Sequence, residues 1–230
     1  MKQQKKKCLL AWAIVLAVVV IDQLIKIYVK THFVLRESYE VTPWFYLSFI
    51  ENNGMAYGLE FVDKYALTAF RIVAVAFFSY MLRRVMSRVP VGFVVCVALV
   101  IAGALGNIID CVFYGQLFTD SYGHVAQCTL GTGLEGYAPW FRGRVVDMFY
   151  FPLVRFWWPD WMPATGEPVT WLGWTFRWPD WLPTSDEPFL FFKPVFNFAD
   201  AAISVGVAAL ILFYRKTFTR LETLGARKDG

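Results

Sequence analysis

Four long apolar runs alternate with polar segments along this chain of 230 residues. They cover residues 8–28, 65–82, 91–109 and 196–214. A helix needs about 20 predominantly apolar residues to cross the hydrocarbon core of a bilayer, and each run is close to that length. The first run follows the basic segment KQQKKK but shows no small-residue cleavage site before Asp22, so we interpret it as a retained span. The pattern therefore predicts four transmembrane helices.

The composition agrees with a polytopic membrane protein. Hydrophobic residues make up 57% of the chain and charged residues only 17%, against about 25% charged in a soluble domain. No basic patch with interleaved aromatic residues is present, so we expect no nucleic-acid partner. Two histidines and four scattered cysteines show no ligand spacing, so we expect no metal site and no cofactor. A bond between Cys111 and Cys128 stays an open alternative.

The basic residues predict the orientation of the spans. The N-terminal tail, the link between the second and third runs and the C-terminal tail together hold twelve Lys and Arg against two acidic residues. The other two loops, 30–64 and 111–195, hold eight basic against thirteen acidic residues. Because cytoplasmic loops are enriched in Lys and Arg, both termini are expected in the cytoplasm and both long loops outside.

The two outer loops have distinct patterns. The first contains alternating aromatic and β-branched residues in WFYLSFI, which predicts a short strand or hairpin. The second contains a near-duplication, WPDWMPATGEP and WPDWLPTSDEP, whose Trp residues suit an element at the membrane surface. We therefore predict one all-α integral membrane domain, residues 1–230, with four transmembrane helices, a small extracytoplasmic β element and a long outer-loop insert.

Charged side chains near the ends of the apolar runs indicate a functional site. Asp22, Asp110 and Asp200 are expected at the same outer edge of the membrane, and Lys26 follows Asp22 by one helical turn. Asp147 lies in the second outer loop. Carboxylates near hydrocarbon are costly unless paired or solvated, so they mark a functional site by default.

The chemistry open to these groups is that of carboxylates with amides. No nucleophile elbow, P-loop, zinc-protease motif or dinucleotide fingerprint is present. Two adjacent carboxylates can share one proton, so that one activates water while the other donates to a carbonyl oxygen. Asp200, at the start of the fourth run, is the expected base because a helix N-terminus favours its anion.

Each group also has an ordinary structural interpretation. Asp22 and Lys26 could form an ion pair that orients the first span. Asn197 and Asp200 could cap the fourth helix, and Asp147 could be a solvated loop acid. The small residues in GALG are typical of close helix packing.

Five segments in order decide between these interpretations. DQLIK (22–26), NNGMAYG (52–58), GALGNIID (103–110), VVD (145–147) and FNFAD (196–200) resemble, in order, the motifs of the lipoprotein signal peptidase family, also called signal peptidase II. The resemblance covers all four runs and most of the chain outside the Trp-rich insert.

The resemblance implies an aspartic endopeptidase of the cell inner membrane, with Asp147 and Asp200 as its catalytic dyad. Its substrates would be prolipoproteins that carry a diacylglyceryl group, cut before the lipidated cysteine at the outer face. Substrate-binding or supporting residues would be Asp22, Lys26, Asn52, Gly54, Gly103, Asn107, Asn197 and Ala199. Lipid-modified prolipoproteins and membrane lipid would be its partners, and the protein would be a monomer.

One departure from the family pattern leaves a question open. The family usually has Arg directly after the aspartate of the GN-x-x-D segment, where this chain has Cys111. Arg71 or Arg144 could supply the missing charge.

A function from another class also stays open, namely a non-catalytic transporter or assembly factor that uses the same carboxylates for ions or protons.

Overall fold

The structure is a computed structural model that describes residues 2–52, 64–159, 161–164, 166–178, 184–185 and 189–226. Its helices are α1 (Lys2–His32), α2 (Lys64–Val85), α3 (Val91–Ile109), α4 (Gly115–Leu117), α5 (Phe198–Phe213) and α6 (Arg215–Ala226). A π-helical segment, Asp110–Tyr114, joins α3 to α4. The first three apolar runs predicted from the sequence fall within α1, α2 and α3, and most of the fourth falls in α5.

Several helices are long and apolar enough to cross a membrane. Within the described part of the chain these are Lys2–His32, Lys64–Val85 and Val91–Leu117, and α5 with α6 adds a fourth if that pair, bent by 74°, is one span. Their outer faces expose large apolar side chains such as Trp12 and Phe70, at 68% and 70% exposure. Lipid chains accommodate such surfaces, whereas water does not.

Small residues allow α3 to lie close to its neighbours. A Cβ atom on Gly103 would lie 2.2 Å from the Ala199 carbonyl oxygen of α5, and one on Gly206 would lie 2.7 Å from the Cys96 carbonyl oxygen of α3. Only glycine permits both approaches, as is common where membrane helices pack. The GALG segment is therefore a packing surface, as its small residues predicted.

Eight short strands complete the described fold. They are β1 (Ser38–Thr42), β2 (Phe45–Asn52), β3 (Val145–Tyr150), β4 (Val154–Phe156), β5 (Pro168–Trp171), β6 (Trp174–Arg177), β7 (Phe189–Phe191) and β8 (Val195–Phe196). One sheet has the order β1-β2-β3-β8, and two antiparallel pairs are formed by β4 with β7 and by β5 with β6. The β element predicted in the first outer loop corresponds to β1 and β2.

The chain divides into two compact units. The first comprises Met1–Glu37, Ser48–Met148 and Phe196–Gly230, and it contains the helices. The second comprises Ser38–Leu47 and Phe149–Val195. Aromatic rings pack within this second unit, where Phe45 stacks on Phe151 with centroids 4.8 Å apart.

Four details differ from the sequence prediction. Asp147 lies in β3 and is almost fully buried, so its interpretation as a solvated loop acid was wrong. The third helical segment does not end at residue 109 but continues to Leu117. The fourth helix begins at Phe198 because the two residues predicted to start it lie in β8 and at the N-cap. The first helix extends to His32, into the predicted outer loop.

Candidate active site

A buried lysine on α1 pairs with two aspartates from two helical segments. Lys26 Nζ lies 3.0 Å from Asp22 Oδ2 and 2.8 Å from Asp110 Oδ2, and all three side chains are fully buried. The third ammonium proton is donated to Asn107 Oδ1 at 2.8 Å, so every donor of the lysine has a partner. Buried charges are tolerated when they are paired and hydrogen-bonded in this way. The predicted Asp22–Lys26 pair is therefore present.

Asp22 also joins α1 to the start of α5. Its Oδ1 accepts a hydrogen bond from the backbone N–H of Ala199 at 2.9 Å. The neighbouring Gln23 donates to Asp22 Oδ2 at 3.2 Å and to Asp110 Oδ1 at 2.9 Å. A Cβ atom on Gly106 would lie 2.6 Å from Asp22 Oδ2, so glycine is required there for the carboxylate to fit. These bonds fix three helical segments against one another.

Two linked asparagine amides orient the predicted dyad. Asn107 Nδ2 donates to Asp200 Oδ1 at 2.7 Å, and Asn197 Nδ2 donates to Asp147 Oδ1 at 2.7 Å. Asn197 Nδ2 also lies 3.2 Å from Asn107 Oδ1. Because Lys26 can only donate to Asn107 Oδ1, the other end of that amide must be the NH₂ group that faces Asp200.

The position of Asn197 explains how α5 begins. Its Oδ1 accepts the backbone N–H of Asp200 at 2.9 Å, which makes Asn197 the N-cap of the helix. Asp200 then occupies the first turn, where the helix dipole favours an anion. The capping interpretation was therefore correct, and the same side chain also binds the partner carboxylate of Asp147.

Asp147 lies in a setting that favours its protonated form. It is 3% exposed, and burial together with the negative charge of Asp200 raises the pKa of Asp147 from 3.8 to about 7. Hydrogen bonds from Asn197 and Asn52 and the charge of Lys26 act in the opposite direction. Near neutral pH this carboxyl group can therefore both hold and release a proton, as a shared-proton dyad requires.

A second buried ion cluster anchors the strands beside the dyad. Glu51, next to Asn52 at the end of β2, pairs with Lys30 of α1. Its Oε2 also lies 2.8 Å from Nη1 of Arg144, the residue directly before β3. Lys30 is fully buried and also lies 3.1 Å from Ser121 Oγ. Burial tends to raise the pKa of Glu51, but the charges and hydrogen bonds of Lys30 and Arg144 hold it below its usual value.

Sequence reasoning did not assign this cluster. Lys30 follows Lys26 by four residues and therefore lies on the same face of α1, which was the available signal. Glu51 precedes a predicted site residue, and Arg144 precedes the VVD segment by one position. Nothing local indicated that these three side chains meet, because Glu51 and Arg144 are 93 positions apart.

The π-helical segment anchors β3 to the end of α3. The N–H of Gly143 donates to the carbonyl oxygen of Cys111 at 2.8 Å, and that of Val146 donates to Asp110 Oδ2 at 3.2 Å. Carbonyl groups at a helix end lack intrahelical partners, and loop N–H groups can satisfy them. The segment before β3 thereby fixes the strand that carries Asp147.

Arg71 lies where the sequence departs from the family pattern. Its Nη1 is 3.3 Å from Cys111 Sγ, whereas Arg144 binds Glu51 instead. Of the two arginines considered from the sequence, Arg71 is thus the one beside Cys111. Cys111 and Cys128 are both free thiols.

The structure brings together seven of the ten predicted site residues through the contacts above. They are Asp22, Lys26, Asn107, Asp147, Asn197, Ala199 and Asp200. Asn52 acts on Asp147 through a side-chain hydrogen bond, and Gly103 supports the site through helix packing. Gly54 lies outside the described residues.

Comparisons with known proteins identify relatives over most of the chain. Residues 14–216 match the family model described as Signal peptidase (SPase) II. The chain is 44% identical to the lipoprotein signal peptidase of Porphyromonas gingivalis over 211 residues, which cover 91% of this chain and 84% of that protein. It is 32% identical to the lipoprotein signal peptidase of Amoebophilus asiaticus, over 90% of this chain and 78% of that one.

Two solved structures have a similar fold. Both are described as bacterial membrane enzymes solved by the in meso method, at 2.3 Å and 1.9 Å resolution. The first matches with a TM-score of 0.55 and 20% identity over 91% of this chain and 90% of its own. The second matches with a TM-score of 0.52 and 21% identity over 90% and 93%. At these identities the likeness concerns the fold.

Proposed function

This chain belongs to the signal peptidase II family, and from that premise we propose that it is a membrane aspartic endopeptidase. It removes the signal peptides of diacylglyceryl-modified prolipoproteins by cutting before the lipidated cysteine. The observation that carries the proposal is the arrangement of Asp147 and Asp200. Each carboxylate accepts a hydrogen bond from one of two linked asparagine amides.

The dyad activates water without a covalent intermediate. Asp147, whose pKa is raised to about 7, is the protonated member, and Asp200 is the base. Asp200 removes a proton from water as the water oxygen attacks the scissile carbonyl carbon. At the same time the proton of Asp147 passes to the carbonyl oxygen, which avoids a free oxyanion.

Collapse of the tetrahedral intermediate returns the dyad to its starting state. Asp200 gives its new proton to the leaving nitrogen, and the carbon–nitrogen bond breaks. One hydroxyl of the intermediate returns a proton to Asp147 as the new carboxyl group forms. The electron pairs and protons balance with one water consumed, so no metal or cofactor is needed for this sequence of steps.

The remaining predicted residues support this chemistry. Asn107 and Asn197 orient the two carboxylates, and Asn52 steadies Asp147. The Asp22–Lys26 pair holds the helices that carry them. Gly103 lets α3 pack against the backbone of Ala199. Gly54 belongs to the proposed set through the NNGMAYG segment alone.

The proposal includes a topology. Four spans cross the cell inner membrane with both termini in the cytoplasm, and a single membrane domain acts as a monomer with its site at the outer face. The distribution of Lys and Arg supports this orientation. With the dyad at the interface, the lipid tails of the substrate remain in the bilayer while water reaches the scissile bond.

A transporter or assembly factor is the weaker proposal. Broken helices at an ion site would favour it, and the described chain has one sharp break, of 74°, between α5 and α6. That break lies at Tyr214, fourteen residues after Asp200, which is about 21 Å along a helix. The bend is therefore remote from the carboxylates that such a mechanism would use.

A cleavage assay tests the proposal directly. The full-length protein in detergent is incubated with a diacylglyceryl-modified prolipoprotein, and the released peptide is identified by its mass. Asp147→Asn and Asp200→Asn should each abolish release, whereas Asp120→Asn, which changes an exposed acid, should not. Cleavage by either dyad variant at the wild-type rate would overturn the assignment.

A further inference from the structure

The β5–β6 hairpin has one apolar and one polar face. Its register pairs Val169 with Phe176 and Trp171 with Trp174. Directly opposed residues share a face, and so do residues two apart along a strand. These four side chains therefore form one face that holds no polar group other than the two indole N–H groups.

The opposite face of the hairpin is polar. It holds Pro168, Thr170, Thr175 and Arg177 by the same register. The hydroxyl oxygens of Thr170 and Thr175 lie 2.9 Å apart in a hydrogen bond across the strands. The hydroxyl groups nearest the tip are thus already partnered within the hairpin. The single charge, Arg177, is at the base.

The tip is the most exposed apolar part of the hairpin. Leu172 is 82% exposed and its flanking Trp171 and Trp174 are 70% and 80% exposed. The turn is tight because Leu172 and Gly173 both have positive φ, of 50° and 83°. Three large apolar side chains at a turn are unfavourable in water, since each leaves most of its surface hydrated.

The strands around the hairpin connect along the chain to apolar helices. β8 is separated from α5 by Asn197 alone, and five residues separate the end of α1 from the start of β1. α1 is long and apolar enough to span a bilayer, and α5 is so when it is taken together with α6. A hairpin tethered between two such segments meets lipid at a far higher local concentration than it meets any soluble partner.

We propose that the apolar face of the β5–β6 hairpin inserts into the interfacial region of the bilayer, with Leu172 deepest. Leucine favours the hydrocarbon edge, while the two tryptophans suit the headgroup level because each has an apolar body and one polar N–H. Arg177, on the other face, remains in the headgroup region or in water. The hairpin thereby acts as a lipid-binding wedge, and this inference does not depend on the proposed catalytic activity.

Depth-dependent fluorescence quenching tests the wedge in the full-length protein. A Leu172→Cys variant, made in a Cys128→Ser background, is labelled with an environment-sensitive dye and reconstituted in phosphatidylethanolamine–phosphatidylglycerol nanodiscs. Of the other cysteines, Cys96 and Cys111 are buried, and the unsubstituted background protein measures residual labelling. Nitroxides on the acyl chain should quench the dye at Leu172 at least about two-fold more than a dye at Arg177→Cys.

Two further variants keep the test decisive. Trp174→Cys should give the same strong quenching if the Leu172 variant fails to fold. The pair Trp171→Ser and Trp174→Ser should reduce quenching at Leu172, because the wedge has lost its anchors. Equal quenching at Leu172 and Arg177 would overturn the proposal. Contact with a second copy of the protein would also overturn it. In that case lipid nitroxides would not quench the dye, and the dye would be shielded only in discs that hold two copies.

Discussion

Replacing Asp147 with asparagine should abolish cleavage and at the same time stabilise the folded protein above neutral pH. Asparagine keeps the oxygen that accepts the hydrogen bond from Asn197 and has nearly the shape of a protonated aspartic acid. It cannot ionise. The variant therefore removes the cost of a buried negative charge beside Asp200 without removing the side chain.

The size of the effect follows from the pKa. Its value rises from 3.8 for an unperturbed carboxyl group to about 7 for Asp147 in the fold, and each unit corresponds to about 1.4 kcal/mol. Because the folded pKa is raised, the stability from Asp147 is fully present below pH 3.8 and is lost as the pH rises through about 7. The loss totals about 4 kcal/mol, of which about 3 kcal/mol falls between about pH 5 and about pH 8.

Thermal unfolding in detergent measures this difference. The melting temperature of Asp147→Asn should exceed that of the wild type by more at about pH 8 than at about pH 5, because only the wild type has to ionise the buried Asp147 at the higher pH. Glu135→Gln, which neutralises an exposed acid outside this site, is the control variant. A difference in melting temperature that is the same at both pH values would refute the buried, charge-coupled setting of Asp147.

Four other outcomes are expected. Cleavage should fall as the pH rises through about 7, because the dyad loses its shared proton; a flat pH–rate profile up to about pH 9 would contradict this. Lys26→Met should lower stability in a thermal melt by about 3–5 kcal/mol, because two buried carboxylates lose their cation; an unchanged melt would argue against the ion pairs. Glu51→Gln should slow cleavage in a protein that still folds, because Lys30 and Arg144 lose their shared anion. An unchanged kcat would show that this cluster does not position the site. Arg71→Gln should lower kcat/KM by about ten-fold, which corresponds to the loss of roughly one charged hydrogen bond. An unchanged kcat/KM would show that Arg71 does not contribute to the site.

The helices and their caps were predictable because their signals are local. Long apolar runs fix where helices form, and Asn197 followed three residues later by Asp200 is a recognisable N-cap. The ion pair of Asp22 with Lys26 follows from a spacing of one helical turn. In each case the partners lie within a few residues of each other.

The environment of Asp147 was not predictable in the same way. VVDMFY is a short apolar segment that fits a buried strand or a loop equally well. Its burial depends on Asn197, which is 50 positions away, and on Asp110, which accepts the N–H of Val146. The extension of α3 beyond Asp110 was missed because a charged residue was taken as the helix end, although VFY continues the apolar pattern.

The hydrogen-bond partners of the four aspartates divide them by role. Asp22 and Asp110 both contact the ammonium group of Lys26, so they join α1 to the π-helical segment through opposite charges. The two carboxylates of the proposed dyad, Asp147 and Asp200, instead accept hydrogen bonds from neutral asparagine amides. An amide orients a carboxyl group but stabilises its ionised form less than a cation does. The proposed mechanism, in which the two acids exchange one proton during each turnover, needs that kind of support. A lysine in the position of Asn197 would instead hold Asp147 in its ionised form.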